Sequence, residues 1–373
     1  MSLDGSRSRF KPMQIAKCKM KNGKFNGSGS LVPKFAICIL HFALCISPMS
    51  LGRILAGFIL ALTTPFGVCA QEGVVVSYDG YAGFQGPLWA AKDLELFRKH
   101  GLKAEVVLIT GSTRAMAALV SASSDFAQSS ASASIPIRLR GGDIAIIAAA
   151  LNRFPFSVVA QKEIRKPPDL IGKKIGILNF GGSNDLAITL ALKEWNIPRQ
   201  AVTIFASGGA PERLAALSTR AIDATVLSPP ETVVATRLGL NILAHLSDLK
   251  AAFPQTVITV RRSFLQKNRE TVKRFVRAYS EAIYEFKTDK AKGMAVYANR
   301  LKQQDSKVLE ATFDYFAPKF SFPPRVERDG IRNALELVSD RDREAKGEIN
   351  LEQFIDERVI DELEREGFFK KLR

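Results

Sequence analysis

From residue 73 onward, the apolar positions alternate between two spacings. Short runs rich in Val, Ile and Ala have the composition of buried β-strands and fall at 73–77, 102–109, 125–129 and 144–149. Between them, apolar residues recur every three or four positions. This spacing predicts a helix over 87–99, from Pro87 to the His100-Gly101 pair, and another over 112–121 that Ser112 caps. Strands that alternate with helices predict an α/β fold with parallel strands and helices on the sheet faces.

The same alternation repeats further along the chain. Strands are predicted at 174–178, 202–206, 224–227 and 241–245. Helices are predicted from the turn that contains Gly181 and Gly182 up to Trp195, and over 212–219. Two β-rich segments, 156–161 and 256–261, flank this part without a long linker. They predict a middle lobe, 156–255, inserted into an outer lobe of 73–155 plus 256–373. Two such crossings would bend together and close a cleft on a ligand.

The last third of the sequence is predicted to be helical. Apolar residues of 272–286 fall at helical spacing, with Lys273, Arg274 and Arg277 on the opposite side. Further helices are predicted at 289–299, 305–316, 325–338 and 357–367. We expect them to pack on the outer lobe, and their aromatic residues to be core.

An export signal precedes the first predicted strand. Arg53 and the apolar run 54–62 lead to Val68-Cys69-Ala70, which has the small residues of a peptidase site. Residues 49–70 are therefore interpreted as a signal peptide, cleaved before Gln71. Residues 1–48 are interpreted as an over-called N-terminal extension; one long signal or a transmembrane hairpin is the alternative. The expected location is the periplasm.

The positions of the cysteines and the distribution of charge exclude several kinds of functional site. All four cysteines lie in the first 70 residues, so the exported part is expected to lack disulfides and thiol nucleophiles, and lipid anchoring at Cys69 is not expected because the residue before it is Val68. Residues 71–373 carry half of the +16 net charge, and that excess is spread out. A nucleic-acid partner is therefore not expected. Without clustered His or Cys, neither a metal site nor a cofactor is expected.

Five segments resemble one family when taken in order. They are 90–102, 119–127 (LVSASSDFA, with Ala122 where Gly is usual), 169–176 (DLIGKKIG), 213–230 (RLAALSTRAIDATVLSPP, with Arg220 where Gly is usual) and 268–278, with Arg269 in place of Pro. The chain resembles the nitrate/sulfonate/taurine solute-binding proteins of ABC importers, a family that also includes thiamine-pyrimidine precursor binders. The resemblance covers residues 73–284 well and the remainder loosely.

The resemblance implies a fold and a role. The fold is the type II periplasmic-binding-protein fold, with two lobes and a hinged cleft. The role is a non-enzymatic, monomeric solute-binding protein, without catalytic residues, that delivers a small anionic or zwitterionic ligand to an inner-membrane permease. Two alternatives stay open: a ligand sensor that docks to a membrane receptor, and a thiamine-pyrimidine precursor-binding or synthase-like protein. The synthases use a cysteine-rich signature, which residues 71–373 lack.

The first candidate ligand site is Gly181, Gly182 and Ser183. These residues follow a predicted strand and open a helix, so backbone N–H groups and the Ser183 hydroxyl could hold a sulfonate, carboxylate, nitrate or phosphate. Asp185 weakens this prediction, because a carboxylate there already compensates the helix dipole. A plain turn with a Ser cap is the alternative.

Other candidates follow other predicted strands, where ligands of open α/β sheets bind. Tyr81, Phe84 and Gln85 would supply aromatic surface and an amide. Hydroxyl and amide groups come from Ser129, Ser130, Asn152 and Ser228, and Glu231 could pair with an amine of the ligand. Structural roles are the alternative for each: a Gly-rich turn, a helix start, or an acid that stabilises the first turn of its own helix.

Overall fold

The computed structural model describes residues 71–249, 251–339 and 350–373. All of them belong to one structural unit, Cys69–Arg373. The predicted extension, signal peptide and cleavage site lie outside the described residues.

The first β-sheet combines strands from both ends of the described chain. It contains β1 (Glu72–Tyr78), β2 (Leu102–Leu108), β3 (Phe126–Ser129), β4 (Ile144–Leu151) and β10 (Thr256–Arg261), in the order β2-β1-β3-β10-β4. β1 is parallel to β2 and β3, whereas β10 is antiparallel to β3 and β4. The strands that alternate with helices, β1 to β4, run in the same direction as predicted, whereas 256–261, predicted as a crossing, is the antiparallel strand. β10 returns from the second sheet and enters between two strands that run the other way.

The second β-sheet repeats this arrangement. It contains β5 (Ser157–Ala160), β6 (Lys174–Ile177), β7 (Thr203–Ala206), β8 (Ala224–Leu227) and β9 (Asn241–His245), in the order β7-β6-β8-β5-β9. β6 is parallel to β7 and β8, and β5 is antiparallel to β8 and β9. The strand that enters this sheet from the first one is again the antiparallel member.

Helices connect the strands within each sheet. They are α1 (Gly86–Asp93), α2 (Leu96–Lys99), α3 (Ser112–Val120), α4 (Ala131–Leu139), α5 (Ser183–Glu194), α6 (Ala210–Ser218) and α7 (Glu231–Arg237). The helix predicted over 87–99 is thus two helices. Glu95 separates them with φ 58°, a left-handed conformation that cannot continue a right-handed helix.

The remaining helices follow β10. They are α8 (Arg262–Lys267), α9 (Arg269–Thr288), α10 (Lys290–Leu301), α11 (Ser306–Phe316), α12 (Arg328–Ser339), α13 (Arg358–Arg365) and α14 (Phe368–Leu372). α9 packs on the first sheet as predicted, because Phe275 stacks on Phe126 with ring centroids 3.9 Å apart and on Phe97 at 5.3 Å. The last predicted helix, 357–367, ends at Arg365, and Gly367 follows with φ 71°.

The chain crosses between the sheets twice, over 152–156 and 246–255. The Phe253 N–H donates to the Asn152 carbonyl at 2.9 Å, the Leu246 N–H donates to the Phe156 carbonyl at 2.8 Å, and the rings of Phe154 and Phe253 stack at 4.1 Å. The crossings therefore precede β5 and β10 rather than coinciding with them. The lobe boundaries at 156 and 255 stay a prediction.

Within the described residues, no helix combines the length and the apolar character needed to cross a membrane.

Candidate functional site

A cavity of about 270 Å³ lies where the carboxyl ends of strands from both sheets face each other. On the first-sheet side it is lined by the segment after β1 and by Thr110 and Ser112, after β2. On the second-sheet side it is lined by Asn179, after β6, by the start of α5, by the start of α6 and by the end of β8. Phe156, at the first crossing, lies between them. This is the position at which open α/β sheets bind ligands.

Arg213 places a buried positive charge in the cavity wall. Its side chain is held by three hydrogen bonds: Nε donates to Thr225 Oγ1 at 3.1 Å, and its terminal nitrogens donate to the carbonyls of Gly208 (2.6 Å) and Val226 (3.2 Å). Burial lowers the pKa of Arg213 to about 10, so it stays protonated at neutral pH. Within the described ranges, no carboxylate lies at ion-pair distance from it.

Two helices begin at the same cavity. Ser183 and Asn184 open α5, and Ala210 and Pro211 open α6; all four line the cavity. The first N–H groups of a helix have no partner within the helix and carry its positive dipole end. Together with Arg213, these helix starts are the positive groups of the second-sheet side, which also carries the exposed carboxylate of Glu212.

Asp79 provides the opposite charge on the first-sheet side. It follows β1 directly and lines the cavity, yet only 7% of its surface is exposed. Oδ1 accepts from Gln85 Nε2 and Oδ2 accepts from Ser129 Oγ, each at 2.9 Å. Burial raises the pKa of Asp79 to about 6, against the smaller lowering by these hydrogen bonds. The carboxylate is thus held by neutral donors in a desolvated position.

A chain of side chains orients the amide that holds Asp79. The Tyr279 hydroxyl donates to Gln128 Oε1 at 2.6 Å, and Gln128 Nε2 donates to Gln85 Oε1. Because Tyr279 occupies the Gln128 acceptor, and Gln128 occupies the Gln85 acceptor, the Gln85 amide presents its N–H to Asp79. The network therefore favours the ionised carboxylate.

Aromatic residues form part of the wall. Phe84 and Phe156 meet edge to face, with ring centroids 6.0 Å apart, and Tyr81 lies at the mouth with its hydroxyl donating to the Arg300 carbonyl. Phe180 is 56% exposed and does not line the cavity. The aromatic surface comes from one side of the cavity only.

The predicted site residues separate into three groups. Tyr81, Phe84, Ser183 and Ser228 line the cavity. Gln85 and Ser129 lie behind it as hydrogen-bond donors to Asp79. The third group does not line the cavity and contains Ser130, Asn152, Gly181, Gly182 and Glu231.

Three members of the third group have hydrogen-bond partners outside the cavity. Ser130 caps α4 by accepting from the Ser132 N–H, and both ends of the Asn152 amide bond to the segment 321–327. The Gly181 N–H donates to Asp185 Oδ2 at 2.7 Å, and Asp185 also pairs with Arg199. Asp185 thus takes an N–H that was expected to face the ligand, and it does so away from the cavity.

Glu231 lies at the start of α7 and is 8% exposed. Burial raises its pKa to about 7, and its Oε2 has no hydrogen-bond partner among the described residues. Arg213 attracts the Glu231 charge without contacting it. Glu231 therefore interacts with Arg213 through its charge alone and does not line the cavity.

The sequence analysis missed several polar residues that line the cavity, among them Asp79, Asn184 and Arg213. Asp79 stands close after a predicted strand, and Arg213 stands in the first turn of a predicted helix. Their positions in these elements were the only feature of the sequence that could have indicated a place in the site. Their burial and lack of charged partners depend on the packing of both sheets.

The chain matches known proteins along most of its described length. The model of the NMT1/THI5-like family matches residues 85–290. The "Putative binding protein YtlA" of Bacillus subtilis (strain 168) is 22% identical over 314 residues, covering 80% of this chain and 93% of that protein.

Two solved structures illustrate the shared fold. The periplasmic aliphatic sulphonate-binding protein SsuA of Escherichia coli aligns with a TM-score of 0.64 at 17% identity, covering 76% of this chain and 97% of SsuA. The periplasmic nitrate-binding protein NrtA of Synechocystis PCC 6803 aligns with a TM-score of 0.62 at 13% identity, covering 79% of this chain and 89% of NrtA. The predicted α/β periplasmic-binding-protein fold is confirmed.

Proposed function

The chain belongs to the NMT1/THI5-like family, and we propose that it is a solute-binding protein that captures a small organic anion between two lobes and delivers it to an ABC import permease. The predicted export to the periplasm is part of this proposal. Sulfonates and nitrate are the ligands named for SsuA and NrtA, and both are small anions.

Arg213 is the observation that carries the proposal. A buried guanidinium needs a compensating charge, and none of the described carboxylates reaches it. Three of its N–H groups are used by the protein, and a guanidinium has five, so two remain for a ligand at the cavity surface. The first turns of α5 and α6 also line the cavity and contribute backbone N–H groups, except at Pro211, which has none. Such an arrangement fits a planar or tetrahedral oxyanion.

Binding without chemistry agrees with the residues that line the cavity. Neither of the histidines after residue 70 is among them: His100 contacts Glu281, and His245 contacts Ser157. Residues 71–373 contain no cysteine. A hydroxyl paired with a base, the usual nucleophile arrangement, is also not found among the cavity residues. We therefore propose a binding protein rather than an enzyme.

The crossings supply the motion that a capture mechanism needs. Bending over 152–156 and 246–255 would move the second sheet toward the first and bring Arg213 closer to the groups around Asp79. Arg237 of α7 pairs with Asp305, the cap of α11, at 2.5 Å, and neither residue lines the cavity. Closure would exclude water and strengthen every polar contact with the ligand.

Thermal melting with a ligand panel tests the proposal. The panel contains alkanesulfonates, taurine, nitrate, bicarbonate and aromatic carboxylates, with formylaminopyrimidine as the representative of the pyrimidine alternative. A ligand at 100 times its Kd adds about 2.7 kcal/mol to the free energy of unfolding. An acid that raises the Tm supports the proposal. A response to the pyrimidine alone favours the precursor-binding alternative, and a flat panel contradicts anion binding.

Variants of the second-sheet side identify the site. Arg213→Gln should abolish the response to the acid, and Ser183→Ala should weaken its affinity several-fold, because each removes donors from the proposed anion position. Arg220→Gln is the matched control: the same substitution of an exposed arginine near α6, outside the cavity. Equal ligand responses in all three variants would show that the anion binds elsewhere.

A further inference from the structure

The charges that line the cavity do not suit a simple anion. They are one guanidinium, Arg213, and two carboxylates, Asp79 and Glu212. Glu212 is exposed at the mouth and open to water, whereas Asp79 is buried. A nitrate or an alkyl sulfonate would neutralise Arg213 but leave Asp79 inside a closed cleft without a counter-charge. Burying an uncompensated charge is strongly unfavourable.

Asp79 accepts hydrogen bonds from neutral donors and forms no ion pair with a described cationic side chain. Its side-chain donors are the neutral Gln85 and Ser129, and the chain from Tyr279 through Gln128 keeps the Gln85 N–H aimed at it. Within the described part of the chain, no Lys, Arg or His forms an ion pair with it. The charged groups across the cavity are Glu212 and Arg213, and neither shifts the pKa of Asp79.

A purely structural role explains these contacts less well. A neutral carboxamide would satisfy the same two neighbours: its oxygen accepts from Gln85, and its NH2 group donates to the Ser129 hydroxyl, which can also act as an acceptor. Burial of the charge destabilises the empty protein, as the raised pKa of about 6 indicates. A charge that costs stability, lies in the wall of a cavity and has no described cation at ion-pair distance has the properties of a ligand-recognition group.

We propose that Asp79 selects ligands that carry a cationic nitrogen, an ammonium or a protonated amidine-like group, opposite the acid held by Arg213. The inference rests on the proposed function and narrows it: the ligand is a small zwitterion whose two charges span the cavity from Asp79 to Arg213. Phe84 and Phe156 then contact the apolar part between the charges.

Matched pairs of compounds test the inference. Taurine is compared with ethanesulfonate, and β-alanine with propionate, by calorimetry and thermal melting of the purified protein at pH 7.5. Each pair differs by one ammonium group. Zwitterions should bind at least ~10-fold more tightly than their partners, the factor expected for a hydrogen-bonded charge pair. Equal binding within a pair overturns the role of Asp79 and leaves the proposed function standing. No binding of any compound contradicts the proposed function and, with it, this inference.

An Asp79→Asn variant attributes the selectivity to the side chain. The variant keeps an acceptor for Gln85, places an NH2 donor against the Ser129 hydroxyl, which can accept, and removes a buried charge, so it is expected to fold. Its affinity for the zwitterion should fall at least ~10-fold while its affinity for the matched anion stays within about twofold. Glu281→Gln is the control, a buried carboxylate that pairs with Lys99 and His100 away from the cavity. An Asp79→Asn variant that keeps the preference for zwitterions would refute the assignment.

Discussion

At the scale of single residues, the cavity and its surroundings contain charges that the protein buries without an ion-pair partner. Arg213, Asp79 and Glu231 are each less than one-tenth exposed, and no described side chain forms an ion pair with any of them. Burial shifts each pKa toward the neutral form: down for the guanidinium, up for the two carboxylates. Buried charges with shifted pKa values and no ion-pair partner are typical of binding sites, where a ligand supplies the opposite charge.

Glu231 provides a stability prediction. Its pKa in the folded protein is raised from 4.5 to about 7, so the folded state holds the proton more tightly than the unfolded state. The wild type should therefore lose stability as the pH rises from about 4.5 to 7, and the full penalty is present above pH 7. Glu231→Gln should raise the free energy of unfolding at pH 8 by up to about 3 kcal/mol and leave it nearly unchanged at pH 4.

Urea unfolding of wild type and Glu231→Gln at both pH values measures this difference. Because Asp79 titrates nearby in both proteins, only the difference between the two curves is assigned to Glu231. A variant that is less stable than the wild type at pH 8 would mean that Glu231 is stabilised by Arg213 more than burial destabilises it.

The pH dependence of ligand affinity is a second prediction at this scale. Asp79, with a pKa of about 6, is mostly ionised at pH 7 and mostly protonated at pH 5. Affinity for a zwitterion should therefore fall about 10-fold from pH 7 to pH 5, since only the ionised form attracts the cationic group. Glu231 also titrates in this range, so calorimetry of Asp79→Asn is the reference. A fall of the same size in that variant would assign the effect to Glu231 instead.

At the scale of elements, local patterns predicted the strands well and the turns less well. β8, β9 and β10 have the predicted bounds. Two turns have a backbone conformation that their residues do not favour. Ala122 and Arg220 stand where the resembled family has Gly, and both adopt left-handed conformations, with φ 62° and φ 59°. A side chain in this region is strained because its Cβ approaches the following carbonyl oxygen.

Ala122→Gly should consequently raise the free energy of unfolding by about 1 kcal/mol, and Arg220→Gly by somewhat less because it also loses the exposed pair with Glu163. Thermal melting of both variants measures this. Gly172→Ala is the opposite control: Gly172 has φ 74° with no atoms near its missing Cβ, so alanine there should destabilise through backbone strain alone. If all three variants lose stability, the left-handed turns are not strained as inferred.

At the scale of the whole molecule, the two crossings decide how the sheets meet. Phe154 and Phe253 stack between them and are almost fully buried, so this aromatic pair is the core of the junction. Phe154→Ala should lower the free energy of unfolding by about 3–5 kcal/mol, as expected for removal of a buried ring.

Phe180→Ala is the matched control, since that ring is 56% exposed and its removal should change stability by less than about 0.5 kcal/mol. Calorimetric unfolding of both variants compares them. Equal effects of the two substitutions would contradict the junction's role in holding the sheets together.

The sequence by itself determined the order and type of most elements, because the spacing of apolar residues is a local property of strands and helices. It also placed candidate ligand residues at the strand ends, and four of them, Tyr81, Phe84, Ser183 and Ser228, line the cavity. The tertiary structure decided which charges meet there. Asp79 and Arg213 belong to different sheets, and their burial, their lack of partners and the donor chain from Tyr279 arise only when both sheets and α9 are packed. Electrostatic character depends on neighbours distant in sequence, and no local pattern encodes it.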